Sequence, residues 1–295
     1  MKNLPSLIGR QKFLASYIHL IGSRLGRTQK FKHLFLISRE FKGNFDYDFV
    51  PYKFGAYSFT MENDLKVLER KKITDDASYL KKYFLSMSSE DQGRLIEFFE
   101  KYQGIVGSKN ETIRVTYEKY PYFAINSTII DQYPEARARM TAVKESLRAQ
   151  NGVTLFTIGY ESKSIEGFFN QLIENNVNTL VDVRCNRKSM KFGFSEKKLS
   201  SICDLLGIQY VGLSELGIES EKRKDLETME DYQRLFADYQ KSLRSRKKYI
   251  LALKEILAKD SRIALMCFEL DPQMCHRTVL AREFLKLYDV PLKEL

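Results

Sequence analysis

The chain has 295 residues, 43% of them hydrophobic, with 17 tyrosines, 20 phenylalanines and no tryptophan. That is enough for two domains of ordinary size with real cores, and the lack of any run of about eighteen apolar residues argues against a membrane span. The net charge of +10 is uneven: residues 1–150 hold 25 Lys and Arg against 17 Asp and Glu, residues 151–295 hold 23 against 21, and residues 1–45 hold nine basic residues and a single acid, Glu40.

The N-terminal stretch MKNLPSLIGRQK lacks the long apolar run of a secretory signal. Four cysteines without a CxxC pair then argue for reduced thiols and a cytoplasmic location. The basic, aromatic-rich beginning points to a polyanion partner, most naturally nucleic acid; a solvated basic surface is the plainer alternative. Phe13, Leu14, Tyr17, Ile18, Ile21 and Leu25 recur at helical spacing, with Gly26 as a stop. Thr28 can cap a second helix through Phe31, Leu34 and Phe35. The segment FDYDFVPYKFGAYSFTMENDL is broken by Pro51 and Gly55, and Ser58 or Thr60 can open a third helix carrying Leu65 and Leu68. Two short helices, an aromatic turn and another helix suit a small winged-helix-like domain over residues 1–78. Residues 79–150 read as a helical connector with one strand-like piece, TIRVTYEKYPYFAI. Its cluster of Tyr117, Tyr120, Tyr122 and Phe123 is either an interdomain core or a stacking platform for bases.

Beyond a break at Arg148–Val153 the pattern alternates strand and helix. LFTIGY, NTLVDVR, IQYVGL and RIALMCFE read as strands, and SIEGFFNQLIENN, SEKKLSSICDLLG and PQMCHRTVLAREFLKLY as helices. Residues 151–295 are therefore expected to form an α/β domain of three layers with a mostly parallel sheet. Ligands in such sheets bind beyond the carboxyl ends of the strands. The residues falling there are Gly159 and Tyr160, Asp182 and Arg184, Glu215, and Cys267 and Glu269. Asp271 and Pro272 suit the start of the last helix, whose first turn then holds Cys275, His276 and Arg277, a corner favourable to anions and to thiolates. The expected reactive groups are Asp182, Glu269, Cys267 and Cys275. The expected ligand contacts are Gly159, Tyr160, Arg184, Glu215, His276 and Arg277. Plainer readings stand beside these: His276 as a core histidine, Cys275 as a small buried residue, and Asp182–Arg184 as a salt bridge shaping the sheet edge. Cys275 and His276, adjacent on a helix, make a poor nucleophile–base pair. A zinc site on Cys267, Cys275 and His276 needs a fourth ligand, from Glu269 or Cys185, and its spacing matches no standard pattern, so no metal is assigned. No cofactor is named by the sequence.

The motifs TIGYE, LVDVR, FGFSEKKL, YVGLSELGIESEKR and CFELDPQMCHR, in that order from about Leu155 onward, resemble the domain-of-unknown-function 488 family, with its Cys-x-Glu…Cys-His-Arg signature. The chain departs where relatives often read Asn-Pro-x-Ser-Arg: it has Asn186-Arg187-Lys188-Ser189-Met190. It also has Ser214-Glu215-Leu216-Gly217 where Pro-Glu-Leu-Gly is common. The first half, around YDFVPYKFGAYS, resembles winged-helix modules of prokaryotic regulatory and defence proteins. Two functions are expected to compete. One is an enzyme acting on nucleic acid or a nucleotide at the anion-binding sheet edge. The other is a non-enzymatic DNA-binding sensor that takes a small anionic ligand at the same place.

Overall fold

A computed structural model of the chain describes residues 4–22, 25–41, 43–44, 46–224 and 226–295. Two compact units are present, Met1–Glu145 and Ser146–Leu295.

In the first unit, α1 (Gly9–Ile21) and α2 (Arg27–Glu40) precede a short antiparallel hairpin, β1 (Val50–Tyr52) and β2 (Gly55–Tyr57), and then α3 (Phe59–Arg70). Ser58 caps α3 by accepting from the Met61 N–H at 3.1 Å, one of the two caps expected from the sequence. Helices α4 (Ala77–Leu85), α5 (Ser89–Lys101), α6 (Lys109–Lys119) and α7 (Pro134–Arg148) follow, each of the first three opened by an Asp or Ser cap. One hydrophobic core runs from Leu7 to Phe123 and joins α1, α2 and α5.

The segment expected to be strand-like is helical. Thr112 to Lys119 lie in α6, and a 3-10 turn spans Pro121–Ala124. Local pairing overrides the β-branched composition: Arg114 bridges Glu111 and Glu118 one turn to either side, while the Thr112 and Thr116 hydroxyls donate to carbonyls one turn back. Tyr120 and Phe123 pack edge-on against Phe35, and Tyr117 against Tyr133, so the aromatic cluster belongs to the first unit's own interior. Gly55, at φ 85°, lies under this layer, where a Cβ would overlap the Tyr117 ring.

The second unit carries five parallel strands: β3 (Thr154–Gly159), β4 (Thr179–Asp182), β5 (Gln209–Gly212), β6 (Arg262–Cys267) and β7 (Leu292–Glu294), in the spatial order β5-β4-β6-β3-β7. All six residues of β6 are buried, as expected of a central parallel strand covered on both faces. Helices α8 (Ile165–Glu174), α9 (Glu196–Leu206), α10 (Met229–Ser242), α11 (Lys247–Asp260) and α12 (His276–Leu285) complete the unit. Gly207 ends α9 in the left-handed region, as its position suggested. Two features differ from expectation. The edge strand β7 is three exposed residues without an apolar run, so no periodicity announces it. The last helix begins at His276: Asp271 caps a separate 3-10 turn, Pro272–Met274, and Cys275 is extended at φ −130°, ψ 133°. Among the described residues, no helix is long and apolar enough to cross a membrane.

Lys32 is buried beneath the hairpin. Its ammonium donates to the Ala56 carbonyl at 3.3 Å and lies 5.6 Å from the Tyr117 ring centre. Burial lowers its pKa to about 7. The unfolded chain thus binds this proton more tightly, and the lysine's contribution to stability grows as pH rises from about 7 towards 10. Lys32→Met is expected to raise the unfolding free energy at pH 7 by about 1–2 kcal/mol and to flatten its pH dependence over that window. Urea unfolding at both pH values checks this; a less stable variant with the original slope contradicts it.

Candidate functional site at the carboxyl edge of the parallel sheet

The strand order brings the ends of β3, β4 and β6 side by side, with Gly159 opposite Cys267 and Asp182 opposite Met266. A cleft of about 440 Å3 opens there. Tyr160, Arg184, Cys267, Glu269 and His276 line it, and Cys185, Asn186, Lys188, Ser189, Ser220 and Arg223 form the rest of its polar wall.

The floor is built around His276. Its Nε2 lies 3.1 Å from the Val183 carbonyl oxygen, which can only accept, so Nε2 carries the hydrogen. In the neutral ring Nδ1 then presents its lone pair to Cys267 Sγ at 3.5 Å. The same sulfur lies 3.2 Å from Glu269 Oε2, so one S–H faces two acceptors. The other oxygen of Glu269 pairs with Arg223. Tyr239 meets the imidazole edge-on and fixes its plane. Burial pushes the Cys267 thiol up, but the neighbouring Cys275 thiol and the positive Arg223 and Arg277 outweigh it, leaving the net shift downward.

The two arginines expected to hold an anion are committed within the protein. Arg184 forks onto Asp182 at 2.8 and 2.6 Å and also donates to the Tyr160 hydroxyl and the Phe194 carbonyl. Asp182, wholly buried, accepts a further bond from Tyr210 at 2.8 Å. Arg277, also wholly buried, donates to the Glu269 and Leu270 carbonyls at 2.5 and 3.2 Å and to Glu294 at 2.7 Å. It therefore ties the loop after β6 to the edge strand β7. Gly159 allows that loop its close approach, since a Cβ there would overlap the Glu269 carbonyl. The Tyr160 and Glu161 N–H groups hold the same loop through the Phe268 carbonyl.

Of the residues expected from the sequence, Tyr160, Arg184, Cys267, Glu269 and His276 converge at the cleft, with Gly159 beside it. Asp182 and Arg277 lie buried behind it, and Cys275 is buried next to Cys267 and His276. Glu215 is apart from them: it sits exposed in the 3-10 turn Ser214–Leu216, against Ser214. The sequence reading missed Arg223, whose partner is Glu269. The motif YVGLSELGIESEKR contains it, but in a polar stretch with no periodicity to single it out.

In the first unit, the basic residues near the N-terminus are partly spent on internal contacts. Arg10 pairs with Asp64 and Arg27 with Glu62, and Lys32 is buried. Lys2, Arg24 and Lys42 lie outside the described residues.

Sheet and cleft together define an α/β domain with a cleft lined by cysteine, carboxylate and imidazole beyond the carboxyl ends of a parallel sheet. Residues 164–284 match the family model of the domain of unknown function DUF488, and the C-terminal half of the chain carries that domain. The match runs from the start of α8 into α12, so β3 and β7 flank it in sequence while sharing its sheet. No curated protein and no solved structure matches the chain.

The Asp182–Arg184 pair invites a double substitution. Asp182→Asn leaves a buried guanidinium without its counter-charge and is expected to cost about 3 kcal/mol. Adding Arg184→Met is expected to recover part of that loss, as chemical denaturation of the parent, both single variants and the double variant will show. An Asp182→Asn chain as stable as the parent contradicts the pairing.

Proposed function

We propose that the protein is a nucleic-acid-associated enzyme acting on a nucleotide or nucleic-acid strand in the cleft at the sheet's carboxyl edge. The observation that carries this reading is the meeting of Cys267, Glu269 and His276 on one cleft floor beneath a cationic wall. Glu269 is the acid–base group. Arg223 steadies its far oxygen and leaves Oε2 beside Cys267. Lys188, Arg223 and the Asn186 amide are the contacts for phosphate oxygens. Asp182, Arg184 and Arg277 are positioning residues, because their charged groups hold the loops that carry the others.

Association with nucleic acid draws on the first unit. A cavity of about 330 Å3 between α2 and the hairpin is lined by Phe31, Tyr52, Phe54 and Tyr57, with the Arg27–Glu62 ion pair beside them. Phe54 is half exposed at the hairpin turn. Aromatic faces of this kind suit an unstacked base. This arrangement, in a winged-helix-like first unit, favours a single strand.

Incubation with nucleotides and oligonucleotides, with products read by mass spectrometry, tests the enzyme reading. Glu269→Gln is expected to lower turnover by about 100-fold or more while oligonucleotide affinity is kept. Binding is expected to weaken steeply between about 50 and 200 mM salt. A ligand that alters DNA affinity without being turned over supports the sensor function instead. Absence of any salt-sensitive binding removes nucleic acid from the proposal.

A further inference from the structure

We infer that Cys267, Cys275 and His276 form a binding site for a soft divalent cation of the zinc class, with its open corner on the cleft. The inference deepens the enzyme reading, on which it rests for the role of the cleft. The two sulfurs and a ring nitrogen lie within 4.8 Å of one another, and all three residues are buried. A tetrahedral zinc with sulfur at about 2.3 Å and nitrogen at about 2.0–2.1 Å places those two ligand atoms roughly 3.5 Å apart. The Cys267 Sγ to His276 Nδ1 distance is 3.5 Å.

The hydrogen bond on the far side of the imidazole points the same way. A metal-binding histidine nearly always donates its other N–H to a carbonyl or carboxylate, which fixes the ligand nitrogen and the plane of the ring. Val183 supplies that carbonyl at 3.1 Å. Two thiols and an imidazole select zinc-like ions over magnesium or calcium, which prefer oxygen ligands.

The linear spacing hides this site because two ligands are neighbours in sequence. On one continuous helix they would diverge by about 100°. Here Cys275 is extended and His276 begins the helix, and their ligand atoms converge. Cys267 and His276 both line the cleft, and the fourth corner is assigned to that side. Glu269 Oε2, 3.2 Å from Cys267 Sγ, stands beside that corner, and its other oxygen is held by Arg223. Three protein ligands with an open position are the pattern of a reactive zinc rather than a purely structural one. A carboxylate beside the open position is placed to take a proton from a bound water.

The test uses the full chain purified without chelator. Elemental mass spectrometry is expected to find about one zinc per chain, and cobalt substitution to give thiolate-to-cobalt charge-transfer absorption. Cys267→Ser, Cys275→Ser and His276→Ala are each expected to weaken zinc affinity by about 100-fold or more, whereas Cys203→Ala keeps it. The cobalt spectrum of the unaltered chain stands whether or not the serine variants fold. A chain that takes up neither zinc nor cobalt overturns the site. Glu269→Gln separates the two claims: if it abolishes turnover in a chain that binds no metal, the enzyme reading survives and the metal site falls. Full zinc occupancy with no turnover of any nucleotide or oligonucleotide has the opposite meaning.

Discussion

The hydrogen bond from His276 Nε2 to the Val183 carbonyl decides what the cleft can do. Val183 follows β4 and His276 opens α12, so one bond joins the strand edge to the helix start. It leaves Nδ1 as the nitrogen facing the cysteines. With the opposite tautomer, an N–H would point at the Cys267 sulfur and the Val183 carbonyl would lose its partner, at a cost of about 1–3 kcal/mol for a buried group.

Around that bond, buried charge is used to build rather than to bind. Arg184 and Asp182 satisfy one another at the end of β4, and Tyr160, Phe194 and Tyr210 take up their remaining bonds. Arg277 clamps the loop after β6 from below and reaches Glu294 in β7. Such pairs are poor stabilisers compared with apolar packing, but breaking one is expensive, so they hold loop geometry firmly. The cleft thereby keeps its accessible charge in Lys188, Arg223 and Glu269.

Much of the second unit was legible in the sequence because a parallel sheet buried on both faces writes itself as apolar runs. RIALMCFE and LFTIGY are such runs, and they became β6 and β3. The exposed strand β7 carries no such signal, since its place is set by Arg277, by Thr157 and by pairing with β3. The helix α6 was misread because Thr112, Val115 and Thr116 favour strands locally, while the Ser108 cap and the Arg114 bridges decide otherwise. At the site, strand-end position placed Cys267 and Glu269 at the sheet edge where the cleft opens, and the last helix's first turn placed His276 there. Neither gave guidance on direction. Whether Arg277 turns toward the cleft or into the protein depends on a strand seventeen residues away, and the Cys267–His276 pairing depends on a break at Cys275 that the Asp271-Pro272 start signal masked.

The DUF488 domain, the tied-down loop after β6 and the cluster of cysteine, carboxylate and imidazole thus form one arrangement, oriented by a single histidine. Long-range proton–nitrogen correlation NMR of the metal-free chain, with His276 assigned by substitution, reads that orientation directly. The expected result for the neutral ring is a hydrogen on Nε2, with Nδ1 showing the shift of an unprotonated nitrogen. A ring protonated at Nδ1 would contradict the arrangement, because Nδ1 would then have no lone pair to offer Cys267 or a metal.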